Sequence, residues 1–482
     1  MSSADIIRSA PVAACRPWPR YMVPTDQWLM LAPEDVSLHA FWADTAAVYA
    51  LFTSGAGQIL LASTAVRDGD YPALSPRFAS AILPERMVQD LWGHRAMGGV
   101  DPRPWLDHGR WSVTHPLAPR HGPATGATEY AFRAIEDLMQ IPVGPVLGHP
   151  AEPVHFRIHA AGEVAASVEA RLGYAHKGTL LLMRGKSPRT AARFAARLSA
   201  DATVAHSVAF ARAAEAAMDI EPPPRAVMLR GVMAEAERIA THLGDLVAAC
   251  GELPHLCGRL GWHREQVLRS AQVAFGHRMM MDCVVPGGLA GDILPEGATA
   301  LRMVADGLAA ELPNLVQGLG TLGAGIGIVP PASLEALVPV GLVARAAGCS
   351  VDARQNPGYP PYPAATPPTL PGADAAARLR LRLHEITISL DLLRDWLGSL
   401  PTGPVSQTLP NTGGEGIAVA ESPRGAVWHW LRLDGGLIAS AFAADPSWRL
   451  WPMQEAASAG ALLADLTLID RSFACARSGV DL

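Results

Sequence analysis

No two of the six cysteines in this 482-residue chain form a C-x-x-C pair. Cys15, Cys250, Cys257, Cys283, Cys349 and Cys475 are scattered and mostly flanked by apolar residues, the pattern of reduced, buried thiols rather than a disulfide framework. Charge is also scarce. Only 17% of residues are Asp, Glu, Lys or Arg, the net charge is −6, and there is no Lys/Arg run or basic tail, which excludes a nucleic-acid partner. No 18-residue window is free of proline and charge. The most apolar region, Leu319–Gly348, is interrupted by Pro330, Pro331, Glu335 and Pro339, so no segment is expected to span a membrane. The opening MSSADIIRSAPVAACRPWPR has no basic segment followed by an apolar run, so no signal peptide is expected. These absences describe a cytoplasmic chain that reaches a membrane only through partners. Its length exceeds what one core usually organises, which predicts two domains.

What is present centres on Arg225–Gly288, which reads as two long helices joined by a turn containing glycine and proline. Val232, Ala236, Ile239, Leu243 and Leu246 recur every three or four residues and mark a core stripe. The same segment carries Arg230, Glu235, Glu237, Arg238, His242 and Asp245, then His277 and Arg278; by composition alone this is a hairpin with a solvated charged face.

Elsewhere, FWADTAAVYALFT and GQILLASTAV are strand- or helix-capable runs, and ILPERMVQDLWG reads as an amphipathic helix ending at Gly93. A Pro/Gly/Thr-rich stretch after His115 marks a boundary. Alternation around Phe156–Ile158 and Val164–Val168 predicts a β-hairpin with Gly162 at its turn, and Asp434-Gly435-Gly436 predicts another. Arg189–Met218 reads as a helix pair, and LRLRLHEITISLDLLRDWLGSL as an amphipathic core helix. Gly318–Gly323 fits G-x-G-x-x-G but follows a helical run, so it is not a dinucleotide fingerprint. The loop NPGYPPYPAATPPTLPG is expected to cover the surface or a partner rather than enter the core.

The ordered strings RGVMAEAERIATHLGDL and FGHRMMMD…VPGG resemble the large subunit shared by hydrogenase-4 and formate-hydrogenlyase type nickel-iron hydrogenases and by the D subunit of NADH dehydrogenase. EPVHFR (Glu152, His155, Arg157), LAGDILPEG (Asp292), GLVARAAGCSVDAR (Arg345, Asp352, Arg354) and ESPRG (Arg424) continue the resemblance to the terminus. Glu85, Arg86, Asp90, Leu91 and Gly93 resemble the C-subunit pattern, in the fused C-plus-D order of hydrogenase-4-type subunits. The resemblance implies an α+β fold: a small α+β domain over 1–112, a linker and connecting helix over 113–145, and a large mainly helical domain with peripheral β-hairpins over 146–482.

It also implies a cavity lined by the central helices. Glu152 resembles a proton carrier there, a role that needs a carboxyl raised by an apolar pocket, and Arg424 overhangs the reaction site. His155, Arg157, His206, Arg230, Glu237, Arg238, His242, His277, Arg278, Asp292, Arg345, Asp352 and Arg354 complete the cavity or its structural motifs. Two departures matter. The four nickel-ligand cysteines are replaced by Ser199, Ala202, Ala476 and Gly479, with Cys475 displaced by one residue; the quinone-contacting histidine and tyrosine of the D subunits align with Pro153 and Ala200. His149 is assigned no role.

The implied function is an electron-transfer subunit of a membrane-associated oxidoreductase complex, peripheral on the cytoplasmic face. Its expected partners are a small iron-sulfur subunit, which carries the clusters, and antiporter-like membrane subunits. Quinone is the candidate acceptor, NAD and flavin belong to other chains, and no metal is held here. The alternatives are a non-catalytic scaffold joining those partners and a working nickel-iron hydrogenase. Four thiolates hold such a centre and one displaced thiol cannot. Protein purified from a nickel-replete culture should therefore carry no stoichiometric nickel by elemental analysis; about one nickel per chain would refute this.

Overall fold

The computed structural model describes residues 1–124, 126–127, 129–146, 152–251 and 253–482; His149 lies outside them. The first part of the chain folds into a five-stranded sheet of order β1-β2-β5-β4-β3: β1 (Val12–Ala13), β2 (Arg20–Met22), β3 (Val36–Ala43), β4 (Ala47–Ser54) and β5 (Ile59–Ala65). The two ambiguous runs are thus strands, rich in the β-branched and aromatic residues that pack well on a pleated surface. Helix α1 (Ile82–Trp92) follows and stops at Gly93, whose left-handed φ of 72° makes the cap.

No helix occurs among the described residues of 113–145, which corrects the expected connecting helix. A five-residue strand there, β6 (Met139–Val143), pairs with β7 (His155–Ala161), which pairs in turn with β8 (Val164–Arg171) around Gly162, φ 63°. The predicted hairpin is therefore a three-stranded sheet. β-branched Ile141 and Val143 favour extension over helix, and β7 offers an edge with unpaired backbone donors and acceptors.

The helical body contains α2 (Thr203–Met218), α3 (Pro224–Ala249), α4 (Pro254–Phe275), α5 (Pro295–Leu319) and α6 (Ala375–Gly398). Pro224, Pro254 and Pro295 open three of these helices at the position where a missing N–H costs nothing. The core stripe is as read: Val232, Ala236, Ile239, Leu243 and Leu246 are all buried. Around Asp434-Gly435-Gly436 the sheet has three strands, β9 (Gly414–Ser422), β10 (Gly425–Asp434) and β11 (Leu437–Ala444), followed by α7 (Ser447–Ser458). It packs against the N-terminal sheet. Trp42 stacks on Phe442 at 5.1 Å, Tyr49 meets Trp430 at 4.9 Å, and Arg20 pairs with Glu415 at 2.8 Å.

Three further expectations are corrected and one stands. The charges of α3 are buried rather than solvated, because other elements cover its polar face. The Pro/Tyr-rich loop turns inward at its start: Tyr359 is buried, and the Tyr362 hydroxyl donates to Glu235 at 2.6 Å. The cysteines are all free, but Cys349 is exposed and Cys257 and Cys283 are half-buried, because their flanking apolar residues turn to different sides. Gly318–Gly323 spans a helix end and turns and follows no strand, so it remains no nucleotide loop.

The alanine-rich α2 lies directly on β9 at Gly414 and Gly416. A Cβ at Gly416 would stand 2.2 Å from the Ala213 carbonyl oxygen. Gly416→Val should cost roughly 2–4 kcal/mol in chemical denaturation. Gly258→Ala should gain about 0.5–1 kcal/mol, since Gly258 sits inside α4 with nothing within 4 Å of a Cβ.

Candidate functional site

The site is built on two polar stripes facing each other. On α3, Glu235, Arg238, His242 and Asp245 follow at three- and four-residue intervals and share one face. On α6, Arg378, Arg382, Glu385 and Ser389 do the same. The helices run antiparallel here, so Asp245 meets Arg382 at 3.2 Å, the His242 ring nitrogen lies 2.9 Å from Glu385, and the Ser389 hydroxyl donates to Glu235. Arg238 pairs with Glu235 at 3.1 Å and donates to the Ser422 and Glu421 carbonyls at 3.0 and 2.6 Å. From the short helix Gly341–Ala346, Arg345 bridges Glu385, Glu421 at 3.1 Å and Asp352 at 3.3 Å, and from the segment that follows Arg354 holds Asp352 at 2.6 Å.

The cluster contains the guanidiniums of Arg238, Arg345 and Arg354 and the carboxyls of Glu235, Glu385, Asp352 and Glu421, all buried. Burial pulls the pKa of His242 below its ordinary value, so its imidazole is neutral near pH 7 and adds no cation. One carboxyl therefore lacks a counter-ion. Burial, reinforced by Asp352, pushes Glu421 up to about 7, whereas the guanidiniums hold Asp352 and Glu385 low despite their burial.

The predicted nickel-ligand positions lie on either side of Arg424. Its guanidinium pairs with Asp201, within the turn that follows Ser199, at 3.0 Å and with Asp245 at 3.4 Å, and it donates to the Ala474 carbonyl. The group is buried, and its Nη1 has no hydrogen-bond partner among the described residues. The donor set does not fit nickel-iron. Ser199, Ala202, Ala476 and Gly479 supply no thiolate, a Cβ at Gly479 would stand 2.4 Å from Asp445, and burial pushes the Cys475 thiol well above its ordinary range.

Glu152 is not the raised carboxyl its predicted role requires. It caps the turn Ser478–Asp481, accepting from the backbone N–H of Arg477 at 2.8 Å and of Ser478 at 3.0 Å and from the Ser478 hydroxyl. Burial pushes its pKa up, but the Ser478 and Arg477 donors outweigh it and leave the group lowered. Glu237 behaves oppositely. It accepts from the N–H groups of Val204 and Ala205 at 2.6 and 3.0 Å, yet full burial, with Asp201 nearby, raises it to about 8. Asp201, Glu237, Thr241 and Arg264 line a cavity of about 20 Å³, room for about one water.

His206 is buried between His429 at 3.0 Å and Asp445 at 3.2 Å. Arg230 is a strut, bidentate to Glu215 at 2.6 and 3.0 Å. Several expected cavity residues lie apart. His155 stacks on Phe132, Arg157 lies over the same ring, Arg278 pairs on the surface with Glu265, and Asp292 pairs with Arg225. His277 is half-buried and accepts from backbone N–H groups in its own turn. Short loops and strand faces carry these side chains away from the helix seam. Sequence reading did not assign Glu235, Asp245, Glu385, Arg382, Asp201, His429 or Asp445 to the site. The opposed charge stripes of α3 and α6 were the available signal for the first four.

A helical body with small peripheral sheets and a charged seam defines the class: the large-subunit fold of hydrogenases and NADH dehydrogenases. Residues 260–413 match the family model of the respiratory-chain NADH dehydrogenase 49 kDa subunit, and residues 177–244 that of nickel-dependent hydrogenases. Formate hydrogenlyase subunit 5 of Escherichia coli is 29% identical over 75% of this chain and 68% of its own length. Hydrogenase-4 component G of the same organism is 28% identical over 85% and 75%. The carbon monoxide-induced hydrogenase of Rhodospirillum rubrum is 27% identical over 69% and 96%. A chain in the structure of the membrane-bound sulfane sulfur reductase, an archaeal respiratory membrane complex, shares the fold with a TM-score of 0.67 and 21% identity, covering 73% of this chain and 100% of that one. These matches make the chain similar to the large subunits of hydrogenase-4 and formate-hydrogenlyase type complexes and to the D subunit of NADH dehydrogenase. Among the described residues no helix is long and apolar enough to cross a membrane.

The raised Glu237 makes a signed prediction. Its protonated form stabilises the fold fully below its ordinary pKa of 4.5, and that contribution is lost as pH rises through about 8. Infrared difference spectra between acidic and alkaline pH should show a protonated-carboxyl stretch titrating near pH 8 that disappears in Glu237→Gln. A wild-type spectrum without that band would refute the assignment.

Proposed function

We propose that this chain is the electron-transfer subunit of a membrane-associated oxidoreductase complex, working without a nickel-iron centre and delivering electrons to a small acceptor beside Arg424. The observation that carries the acceptor site is the buried Arg424 Nη1, a cationic donor with no partner among the described residues, placed between the turn at Asp201 and the tail at Ala474. Such a donor favours an oxygen that gains negative charge on reduction. A quinone is the candidate acceptor. With Pro153 and Ala200 at the positions where the D subunits carry quinone-contacting groups, Arg424 becomes its principal polar contact.

Reduction of a quinone to its quinol takes two electrons and two protons. The electrons come from a cluster in a small iron-sulfur partner, and Glu237 passes protons one at a time through the adjoining water-sized cavity toward Asp201. A carboxyl near pKa 8 is matched to this exchange; the lowered Glu152 is not. Residues 1–112 act as the C-subunit-like domain, 113–145 as the linker and 146–482 as the D-subunit-like domain. Antiporter-like membrane subunits tether the whole to the cytoplasmic face of the membrane.

A second reading, a non-catalytic scaffold, draws support from the ion pairs that tie Arg424 to Asp201 and Asp245 and fill the space between turn and tail. Donor-to-acceptor turnover of the assembled complex at matched subunit levels separates the two. Glu237→Gln should lower turnover roughly a hundredfold. Glu152→Gln should leave turnover within a few-fold of wild type while loosening the terminal turn by about 1–3 kcal/mol, because an amide N–H₂ then faces donors. Unchanged turnover in Glu237→Gln would favour the scaffold.

A further inference from the structure

A cavity of about 330 Å³ lies on the other side of α2, walled by Trp18, Ile220, Val227, Ala234, Pro361 and Ile417. It sits at the lower end of the roughly 300–1,000 Å³ usual for small-molecule sites, and its walls are mostly apolar. Arg212 enters from α2. It donates once, to the Val419 carbonyl, and its guanidinium lies over the Tyr359 ring at 4.4 Å. Among the described residues no carboxylate stands within ion-pair distance of it. The carboxylates nearby are engaged elsewhere: Glu215 is held bidentately by Arg230 and by the Gly287 N–H at 2.7 Å, and Glu421 by Arg345 and the Ala353 N–H at 3.0 Å. Glu221 stands at the exposed rim. The Tyr359 hydroxyl accepts from the Glu421 N–H at 2.8 Å, so its own proton remains to be given. Burial holds Arg212 below the ordinary arginine pKa, as expected of a cation without a counter-ion.

We infer that this cavity binds a small organic carboxylate with an apolar body, its head group forked onto Arg212 and reached by the Tyr359 hydroxyl, its body against Trp18 and the proline wall. A planar carboxylate matches the guanidinium fork and supplies the missing counter-charge, and the flat apolar walls accept a ring or short chain. The Arg424 region plays no part in this assignment.

Titration calorimetry of the full chain with 3-phenylpropanoate, against its neutral analogue 3-phenylpropan-1-ol, tests it. The acid should bind saturably and at least about tenfold more tightly than the alcohol. Arg212→Met should weaken the acid at least about tenfold and leave the alcohol nearly unchanged. Val227→Trp, which fills the cavity while keeping Arg212, should abolish both; it and the acid–alcohol comparison decide the matter should Arg212→Met fail to fold. Equal affinity for acid and alcohol, acid binding that survives Val227→Trp, or no saturable binding of the acid up to about 10 mM would overturn the assignment.

Discussion

The antiparallel seam between α3 and α6 is the constraint on which the rest of the molecule depends. Two helices bring Glu235, Arg238, His242 and Asp245 against Arg382, Glu385 and Ser389 inside the protein, where an unpaired charge costs several kcal/mol. The arrangement is stable only if every neighbouring element supplies a partner. The short helix Gly341–Ala346 therefore supplies Arg345 and the segment after it Asp352 and Arg354, β9 supplies Glu421, and the Pro/Tyr loop turns Tyr359 and Tyr362 inward. Removing one partner strands another, so these residues act as a unit rather than as separable contacts.

The same seam explains how acid–base properties separate within a few residues of one helix. Glu235 faces guanidiniums and stays ionised, whereas Glu237, two residues along α3, faces the first turn of α2 and is raised to about 8. Helical geometry alone sends them to different faces. Glu152 and Glu237 both accept two backbone N–H groups and both have a guanidinium nearby, Arg477 and Arg238, yet only Glu152 adds a hydroxyl donor, whereas Glu237 is more deeply buried and has Asp201 beside it. Environment, rather than residue type, assigns the roles.

Much of the architecture was legible in sequence. The three-to-four-residue apolar stripe located α3, the Gly162 and Asp434-Gly435-Gly436 turns located two hairpins, and Gly93 ended α1 where it was expected to. The third strand of each sheet was not: β6 pairs with β7 across the segment between them, and β9 pairs with β10 across the two-residue turn Pro423-Arg424, which carries neither Gly nor Asn as a hairpin signal. Of the candidate site residues, Arg238, His242, Arg345, Asp352 and Arg354 do converge. His155, Arg157, Arg278 and Asp292 do not, since a motif orders residues along the chain without saying which way a strand or loop turns them.

By itself the sequence determined which side-chain atoms are available: Ser199, Ala202, Ala476 and Gly479 carry no thiolate in any fold, because a side chain's atoms do not depend on its surroundings. It also determined the helices, whose periodicity is local. Only the tertiary structure decided which charges are buried and which carboxyl is raised, because a pKa and a solvation cost belong to the surroundings. Those surroundings come from segments as far apart as Asp201, Asp245 and Arg424, or Glu152 and Ser478, which meet only once the chain has folded.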